Sequence, residues 1–152
     1  MFKTIVVGTD GSEGAMRAVQ VAADLASSQG DGVMLHIVSV QKPMAATAMA
    51  SGELAVSGAA AAGAEWEQDV RRSLEGTLDQ SARDAERAGV TIETHARFGN
   101  PAEVLCDLAG HLQADLIVVG NRGMQGGRRF LGSVPNTISH HSPCSVLIAD
   151  TQ

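Results

Sequence analysis

A segment rich in glycine and arginine, residues 120–133, holds the residue types best suited to chemistry. It follows an apolar run and opens a helix-forming stretch, so its backbone N–H groups can converge on an anion beside a helix N-terminus. Its five glycines allow close approach of the main chain. Arg122, Arg128 and Arg129 add local positive charge to a protein of net charge −6. The pattern predicts a phosphate-binding loop; the alternative is a solvated surface loop.

The same segment lacks the marks of better-known nucleotide and hydrolase motifs. No Lys follows its glycines as in a Walker A loop, and the first strand is not followed by G-x-G-x-x-G. No serine lies in a G-x-S-x-G elbow, so Ser133 is better explained as a helix cap and phosphate contact. Fast phosphoryl transfer, hydride transfer and serine hydrolysis therefore lose support.

Asp10 is a second candidate, because it follows the first apolar run in the turn Thr-Asp-Gly-Ser. Composition leaves two roles open for it, a ligand contact or a turn-forming carboxylate. A nucleophilic role is disfavoured because an Asp-x-Asp pair is absent. His140, His141 and Cys144 lie close in sequence, but a helix end explains them, and we expect no structural metal in the protein. His36 is expected to be a core or crevice residue satisfied by a neighbour.

The length of 152 residues and the 44% of hydrophobic side chains predict a single domain, which we expect to span residues 1–152. No run approaches a membrane span and the start lacks signal-peptide features, so we expect a cytoplasmic protein. The two cysteines are too few for a disulfide framework. The acidic charge, two lysines and 3% aromatic content argue against binding of nucleic acid or membranes.

Apolar runs and helical periodicity alternate along the chain. Strands are predicted at 4–8, 33–38, 90–97, 114–120 and 144–149. Helices are predicted from Ser12 to about 29, from Glu65 to just before Gly89, from Asn100 to about 112, and from Ser133 to about His141. Residues 41–63 have no firm period and are interpreted as a variable loop, open to a partly helical course.

Strict alternation of strand and helix predicts an α/β fold with a doubly wound, five-stranded parallel sheet. Ligands of such sheets bind outside the carboxyl ends of the strands, where the winding direction reverses. Asp10, the end of the second strand and the Gly120 loop should therefore surround one crevice. The last strand is apolar and falls at an edge, which favours pairing with its twin in a homodimer.

Gly120, Gly123, Gly132 and Ser133 follow the spacing Gly-x₂-Gly-x₈-Gly-Ser. The chain also contains Ile-Val-Val-Gly-Thr-Asp-Gly-Ser at 5–12, Leu-His-Ile at 35–37 and Ser-Pro-Cys-Ser-Val-Leu-Ile at 142–148. With these segments it resembles the universal stress protein family, in the subgroup with an ATP-binding motif, over essentially its whole length. The family motif usually has nine residues where this chain has eight, which bears on triphosphate binding.

The resemblance implies a Rossmann-like fold of the adenine nucleotide alpha hydrolase-like type and a ligand at the crevice. It implies that Gly8 and Thr9 line the floor and that Asp10 lies near the ribose or a phosphate-bound metal. It also implies that Ile37 hydrogen-bonds adenine through its main chain, and that the last strand forms a homodimer.

On the loop side, the resemblance implies that Gly120 and Gly123 let the backbone approach the ribose and phosphates. Three residues at the helix start are implied to hold phosphate oxygens: Gly132, Ser133 and Val134. Arg122 and Arg129 are our additions, based on charge and position.

The resemblance, together with these residues, implies a stress or signalling protein that binds ATP, with or without Mg²⁺, and at most hydrolyses it slowly. The alternative is a sensor or buffer of AMP or cyclic AMP. The shortened loop suits such a ligand because a single phosphate needs fewer contacts than a triphosphate.

Overall fold

The predicted strands form one parallel sheet in a computed structural model that describes residues 1–43, 59–121 and 132–151. In chain order the strands are β1 Thr4–Gly8, β2 Val33–Gln41, β3 Val90–Phe98, β4 Leu116–Gly120 and β5 Ser145–Ala149. Across the sheet their order is β3-β2-β1-β4-β5. The chain winds from β1 to one edge and from β4 to the other, which confirms the doubly wound α/β prediction.

Within the described residues, four helices connect the strands: α1 Glu13–Ser28, α2 Ala59–Ala85, α3 Pro101–His111 and α4 Ser133–His141. Among the helices of the described ranges, none has the length and apolar character needed to cross a membrane. Helix α2 begins at Ala59 and not at Glu65, because the alanines before Glu65, the best helix formers, extend it in spite of Gly63. Most of the predicted variable loop, 44–58, lies outside the described residues.

Two helix starts are capped as the sequence predicts. The Ser12 hydroxyl accepts a hydrogen bond from the Ala15 N–H, and Asn100 Oδ1 accepts from the N–H groups of Ala102 and Glu103. The prediction that Ser133 caps the last helix is wrong. Gly132 holds the N-cap position in an extended conformation, and no side chain caps this end.

The two faces of the sheet bury two separate cores, because side chains alternate along each strand. On one face, Ile5 and Leu35 pack with Val19 of α1. On the other face, Val6 and Ile117 pack with residues of α3 and α4 such as Ile138. Helices α1 and α2 thus cover one face and α3 and α4 the other.

One carboxylate joins two neighbouring strands at the amino end of the sheet. Asp115 Oδ2 accepts hydrogen bonds from the N–H groups of Lys3, at 2.7 Å, and Thr4, at 2.9 Å. The Asp115 N–H in turn donates to the Thr4 carbonyl at 2.8 Å. The two bonds to its oxygen favour the charged form and lower the pKa of Asp115 below its ordinary value. The beginnings of β1 and β4 are therefore fastened together.

Candidate functional site

A cavity of about 150 Å³ opens at the carboxyl ends of β1 and β4. These neighbouring strands lead to helices on opposite faces of the sheet, α1 after β1 and α4 after β4, so the chain parts between them. Five residues of the predicted site line the cavity: Gly8, Thr9, Asp10, Gly120 and Val134. The expected crevice therefore exists, at the position where ligands of doubly wound sheets bind.

Strand β2 forms one wall of the cavity because it is longer than its neighbour β1. The pairing of the two strands ends with Gly8 opposite Val38, whereas β2 continues along β3 to Gln41. One further hydrogen bond, from the Thr9 N–H to the Val38 carbonyl at 2.8 Å, follows before the chain after β1 turns away from β2. Val38 and Val40 share a face of β2 and give the cavity an apolar wall.

The turn after β1 is held by its own side chains. Thr9 is buried, and its hydroxyl accepts a hydrogen bond from the Gly11 N–H at 3.2 Å. Asp10 Oδ1 accepts from the Ser12 N–H at 2.9 Å. Gly11 has a φ of +78°, in the left-handed region that favours glycine. The turn-forming role of Asp10 is thus present in the structure, and its carboxylate still lies at the cavity.

The family resemblance also implies a place for Asp10 near a phosphate-bound metal. Asp10 is exposed, and it is the one carboxylate among the described residues that line the cavity. Mg²⁺ is usually held by one or two carboxylates together with substrate phosphates. Asp10 therefore fits a Mg²⁺ ion that arrives with a nucleotide.

The glycine-rich loop is closed at its neck by the residues on either side of it. The Gly132 N–H donates to the Asn121 carbonyl at 3.2 Å. The Asn121 side chain donates to Asp150 at 3.0 Å and accepts from the Thr151 hydroxyl at 2.6 Å. The neck is therefore tied to the chain that follows β5. The predicted residues Arg122, Gly123 and Arg129 lie outside the described residues.

The first turn of α4 offers a defined set of main-chain donors beside the cavity. Ser133 and Val134 are its first two residues, and Pro135, the third, has no N–H. The Gly132 N–H is already bonded to Asn121. Among the described residues, two N–H groups of the first three helical positions have no partner and can face an anion, and the exposed Ser133 hydroxyl, which caps nothing, adds a third donor.

Ile37 is not brought to the cavity wall. Its side chain is fully buried in the core beneath α1 and α2, on the face of β2 opposite to Val38 and Val40. The predicted hydrogen bond from its main chain to adenine stays a prediction.

His36 has the neighbour that the sequence analysis expects. Only 4% of it is exposed, and its Nδ1 lies 3.0 Å from Nε2 of His95. Burial lowers the pKa of His36, with the Glu93 carboxylate partly opposing this. Burial, His36 and Arg97 together lower the pKa of His95. Both rings are therefore uncharged near neutral pH.

Sequence reasoning missed Asn121 and Val40. Asn121 follows a strand and is bonded to residues 29 and 30 positions away, so no local pattern marks its role. Val40 was missed because the polar Ser39 and Gln41 beside it weaken the strand pattern.

Comparison with known proteins gives one consistent family. A model of the universal stress protein family matches residues 1–150. The universal stress protein Rv1636 of Mycobacterium tuberculosis H37Rv is 36% identical over 158 aligned residues, covering 99% of this chain and 97% of that protein.

Solved structures show the same fold. A universal stress protein crystallised in complex with cAMP superposes with a TM-score of 0.67 at 32% identity, covering 99% of this chain and 98% of that one. A universal stress protein family protein from Arabidopsis thaliana with AMP bound has a TM-score of 0.59 at 19% identity, covering 97% and 91%. The second likeness supports the fold alone.

Proposed function

Since the chain belongs to the universal stress protein family, we propose that it binds an adenine nucleotide in the cavity between β1 and β4 and acts as a nucleotide-dependent regulator in stress or signalling. The observation that carries this proposal is the cavity itself, because five of the predicted site residues line it. Binding ranks ahead of catalysis, and any hydrolysis is slow.

The chemistry of the cavity suits the parts of such a ligand. Val38 and Val40 offer an apolar wall of the kind that purine rings pack against. The turn at Thr9 and Asp10 supplies oxygen atoms next to that wall, suited to ribose hydroxyls. The first turn of α4 supplies main-chain N–H groups for a phosphate.

The ligand expected from the motif is ATP, with or without Mg²⁺. In that complex the glycine-rich loop, with Gly123, Arg122 and Arg129, supplies the contacts to the outer phosphates. Asp10 shares the metal with those phosphates.

Cyclic AMP is the second candidate, and two observations favour it. The cAMP complex of a protein 32% identical to this chain has the same fold. Pro135 removes one donor from the start of α4, which leaves the two N–H groups of Ser133 and Val134. These two N–H groups and the Ser133 hydroxyl suit a single phosphate better than a triphosphate.

Calorimetric titration of the purified chain with ATP, ATP plus Mg²⁺, AMP and cyclic AMP tests the proposal. We expect one nucleotide per chain, with the tightest member of the series identifying the ligand. GTP serves as the control for base recognition. Failure of every adenine nucleotide to bind would overturn the proposal.

A pair of substitutions at Val40 locates the binding site. Val40→Phe places a ring in the cavity and should weaken binding on the order of 100-fold or more, whereas Val40→Ala enlarges the cavity and should stay within about ten-fold of the wild type. Val40 is only partly buried, so both variants should fold, which thermal unfolding checks. Equal affinity in both variants would place the nucleotide elsewhere.

We also propose that the chain forms a homodimer through β5 and works in the cytoplasm. Cys106 and Cys144 are both free, as in a reducing compartment. The Ala149 carbonyl accepts from Asn121 on the β4 side, so the main-chain groups of Val146 and Ile148 point to the open edge. These groups can pair with a second copy.

Proline at one of these positions tests the dimer. Val146→Pro removes an outward N–H without breaking the β4 pairing and should raise the dimer dissociation constant on the order of 100-fold. Val146→Ala also loses the valine side chain but keeps the main-chain N–H, so this variant should remain dimeric. Sedimentation velocity at micromolar concentration measures both, and a dimeric Val146→Pro would exclude this edge.

A further inference from the structure

Three side chains with metal-binding atoms lie together on β2 and β3: His36, Glu93 and His95, here called the β2–β3 cluster. Nδ1 of His36 is 3.0 Å from Nε2 of His95 and 3.5 Å from Oε2 of Glu93. One ligand atom from each of the three lies within 4.8 Å of the others. Within the described ranges, this is the one such group of three or more His, Cys, Asp and Glu side chains.

The pairing of the two strands brings these residues together. His36 is opposite Glu93 in the parallel register, and His95 lies two residues further along β3, opposite Val38. Because side chains two residues apart share a face, all three project from the same side of the sheet. Both strands are nine residues long and paired throughout, so the backbone that carries the cluster is fixed.

The distances suit a small tetrahedral ion. With Zn–N and Zn–O bonds of about 2.0–2.1 Å, two ligands of tetrahedral zinc lie about 3.3 Å apart. Two of the separations in the structure, 3.0 Å and 3.5 Å, bracket that value, and the third pair of ligand atoms lies within 4.8 Å.

We propose that the β2–β3 cluster is a zinc site, with His36 Nδ1, His95 Nε2 and a Glu93 carboxylate oxygen as protein ligands and a water molecule as the fourth. Two imidazoles and one carboxylate with an open fourth position form a common zinc ligand set. The Glu93 side chain is 53% exposed, so ions and water reach the site from that side.

Zinc binding requires a proton to move. In the metal-free cluster, one proton lies between Nδ1 of His36 and Nε2 of His95. Zinc takes the lone pairs of both nitrogens, so this proton moves to Nδ1 of His95, and both imidazoles stay uncharged. Arg97 lies 3.4 Å from that Nδ1 and has to swing away, which its exposed position allows. Arg97 therefore weakens the site by its contact and its charge.

The site is distinct from the nucleotide cavity, although the two are close. Val38, the register partner of His95, lines the cavity. None of the three cluster residues belongs to the described cavity lining. Zinc binding should therefore survive the loss of nucleotide binding in Val40→Phe.

A competition experiment tests the proposal: a chromophoric chelator and the protein, prepared without a histidine tag, compete for zinc. We expect one zinc ion per chain, and an affinity at least about ten-fold weaker in Glu93→Gln and in His95→Asn. His140→Asn, the same change at an exposed histidine of α4, is the matched control and should keep the wild-type affinity. Arg97→Gln should bind zinc more tightly than the wild type.

Binding of cobalt gives a second measurement, because side chains that only stabilise the fold would not produce a cobalt absorption band. Co²⁺ in a four-coordinate site absorbs visible light strongly, and this band should appear in the wild type and be lost in His95→Asn. Circular dichroism checks that each variant is folded. Absence of zinc binding, or equal affinity in Glu93→Gln, His95→Asn and the control, would overturn the proposal.

Discussion

The two ends of the sheet are built differently, although the same central strands form both. At the amino end, Asp115 fastens β1 to β4 through two hydrogen bonds to its carboxylate. At the carboxyl end, the same strands part after Gly8 and Gly120 and leave a cavity. One end thus has its main-chain groups satisfied within the chain, and the other has N–H groups and oxygen atoms that face an open space.

This difference indicates that folding stability and ligand binding depend on separate residues. Changes at the amino end should alter the free energy of unfolding and leave nucleotide affinity unchanged. Changes to groups at the carboxyl end that face the cavity and hold no other part of the chain should do the reverse. The following variants test this separation.

Asp115→Ala should have the largest effect on stability. It leaves the N–H groups of Lys3 and Thr4 without their charged acceptor, and we expect the free energy of unfolding to fall by about 2 kcal/mol. Urea denaturation measures this change. Nucleotide affinity should stay within about two-fold of the wild type, because the site is at the other end of the sheet.

The control for this variant is Asp107→Ala, which removes an exposed carboxylate from α3 and should change stability by no more than about 0.5 kcal/mol. A loss of nucleotide affinity in Asp115→Ala would contradict the separation of the two ends.

Asp115→Asn should give a smaller effect that depends on pH. Asparagine keeps an oxygen acceptor but loses the charge, so we expect a loss of about 1 kcal/mol at neutral pH. The folded-state pKa of Asp115 is lowered, so its contribution is present in full above the ordinary value of 3.8 and disappears as the pH falls through the folded-state pKa. The stabilities of wild type and variant should therefore converge in acid, as urea denaturation between pH 7 and pH 2 would reveal. A difference independent of pH would rule out the charge as its source.

The smallest effect is expected at the carboxyl end, from Ser133→Ala. The hydroxyl caps nothing in the structure, so stability should change by less than about 0.5 kcal/mol, while loss of a phosphate contact weakens nucleotide binding about three-fold. Ser12→Ala is the matched comparison, since Ser12 does cap α1 and its loss should cost about 1 kcal/mol of stability. Equal stability losses in the two variants would show that Ser133 acts as a cap after all.

The sequence predicted most of the fold because its signals are local. The apolar run ending at Gly8 and the caps Ser12 and Asn100 depend on neighbours within a few residues. Ser133 failed as a cap because the helix already includes Ser133: the Asn136 N–H bonds to the Gly132 carbonyl, and Gly132, whose own N–H bonds to Asn121, holds the N-cap position. The bond to Asn121 joins residues on either side of the glycine loop, so the helix-start pattern could not reveal it.

The candidate site was predictable only in part, for the same reason. Gly8, Thr9 and Asp10 belong to one turn with a recognisable pattern, and the structure places them at the cavity. His36 and His95 are 59 residues apart, and only the register of β2 against β3 brings their rings into contact. The cavity wall at Val40 likewise depends on how far β2 extends beyond β1.

The closed neck of the glycine-rich loop has a consequence for how this protein can change. Asn121 and Gly132 set where the loop leaves and rejoins the fold, so a residue added or removed between them need not disturb the strand or the helix outside. Closing a loop of this size costs only slightly more when it lengthens, about 0.6 kcal/mol per doubling. The number of residues between these two positions can therefore change by insertion or deletion on an unchanged frame, and this chain has eight residues between Gly123 and Gly132 where the family motif usually has nine.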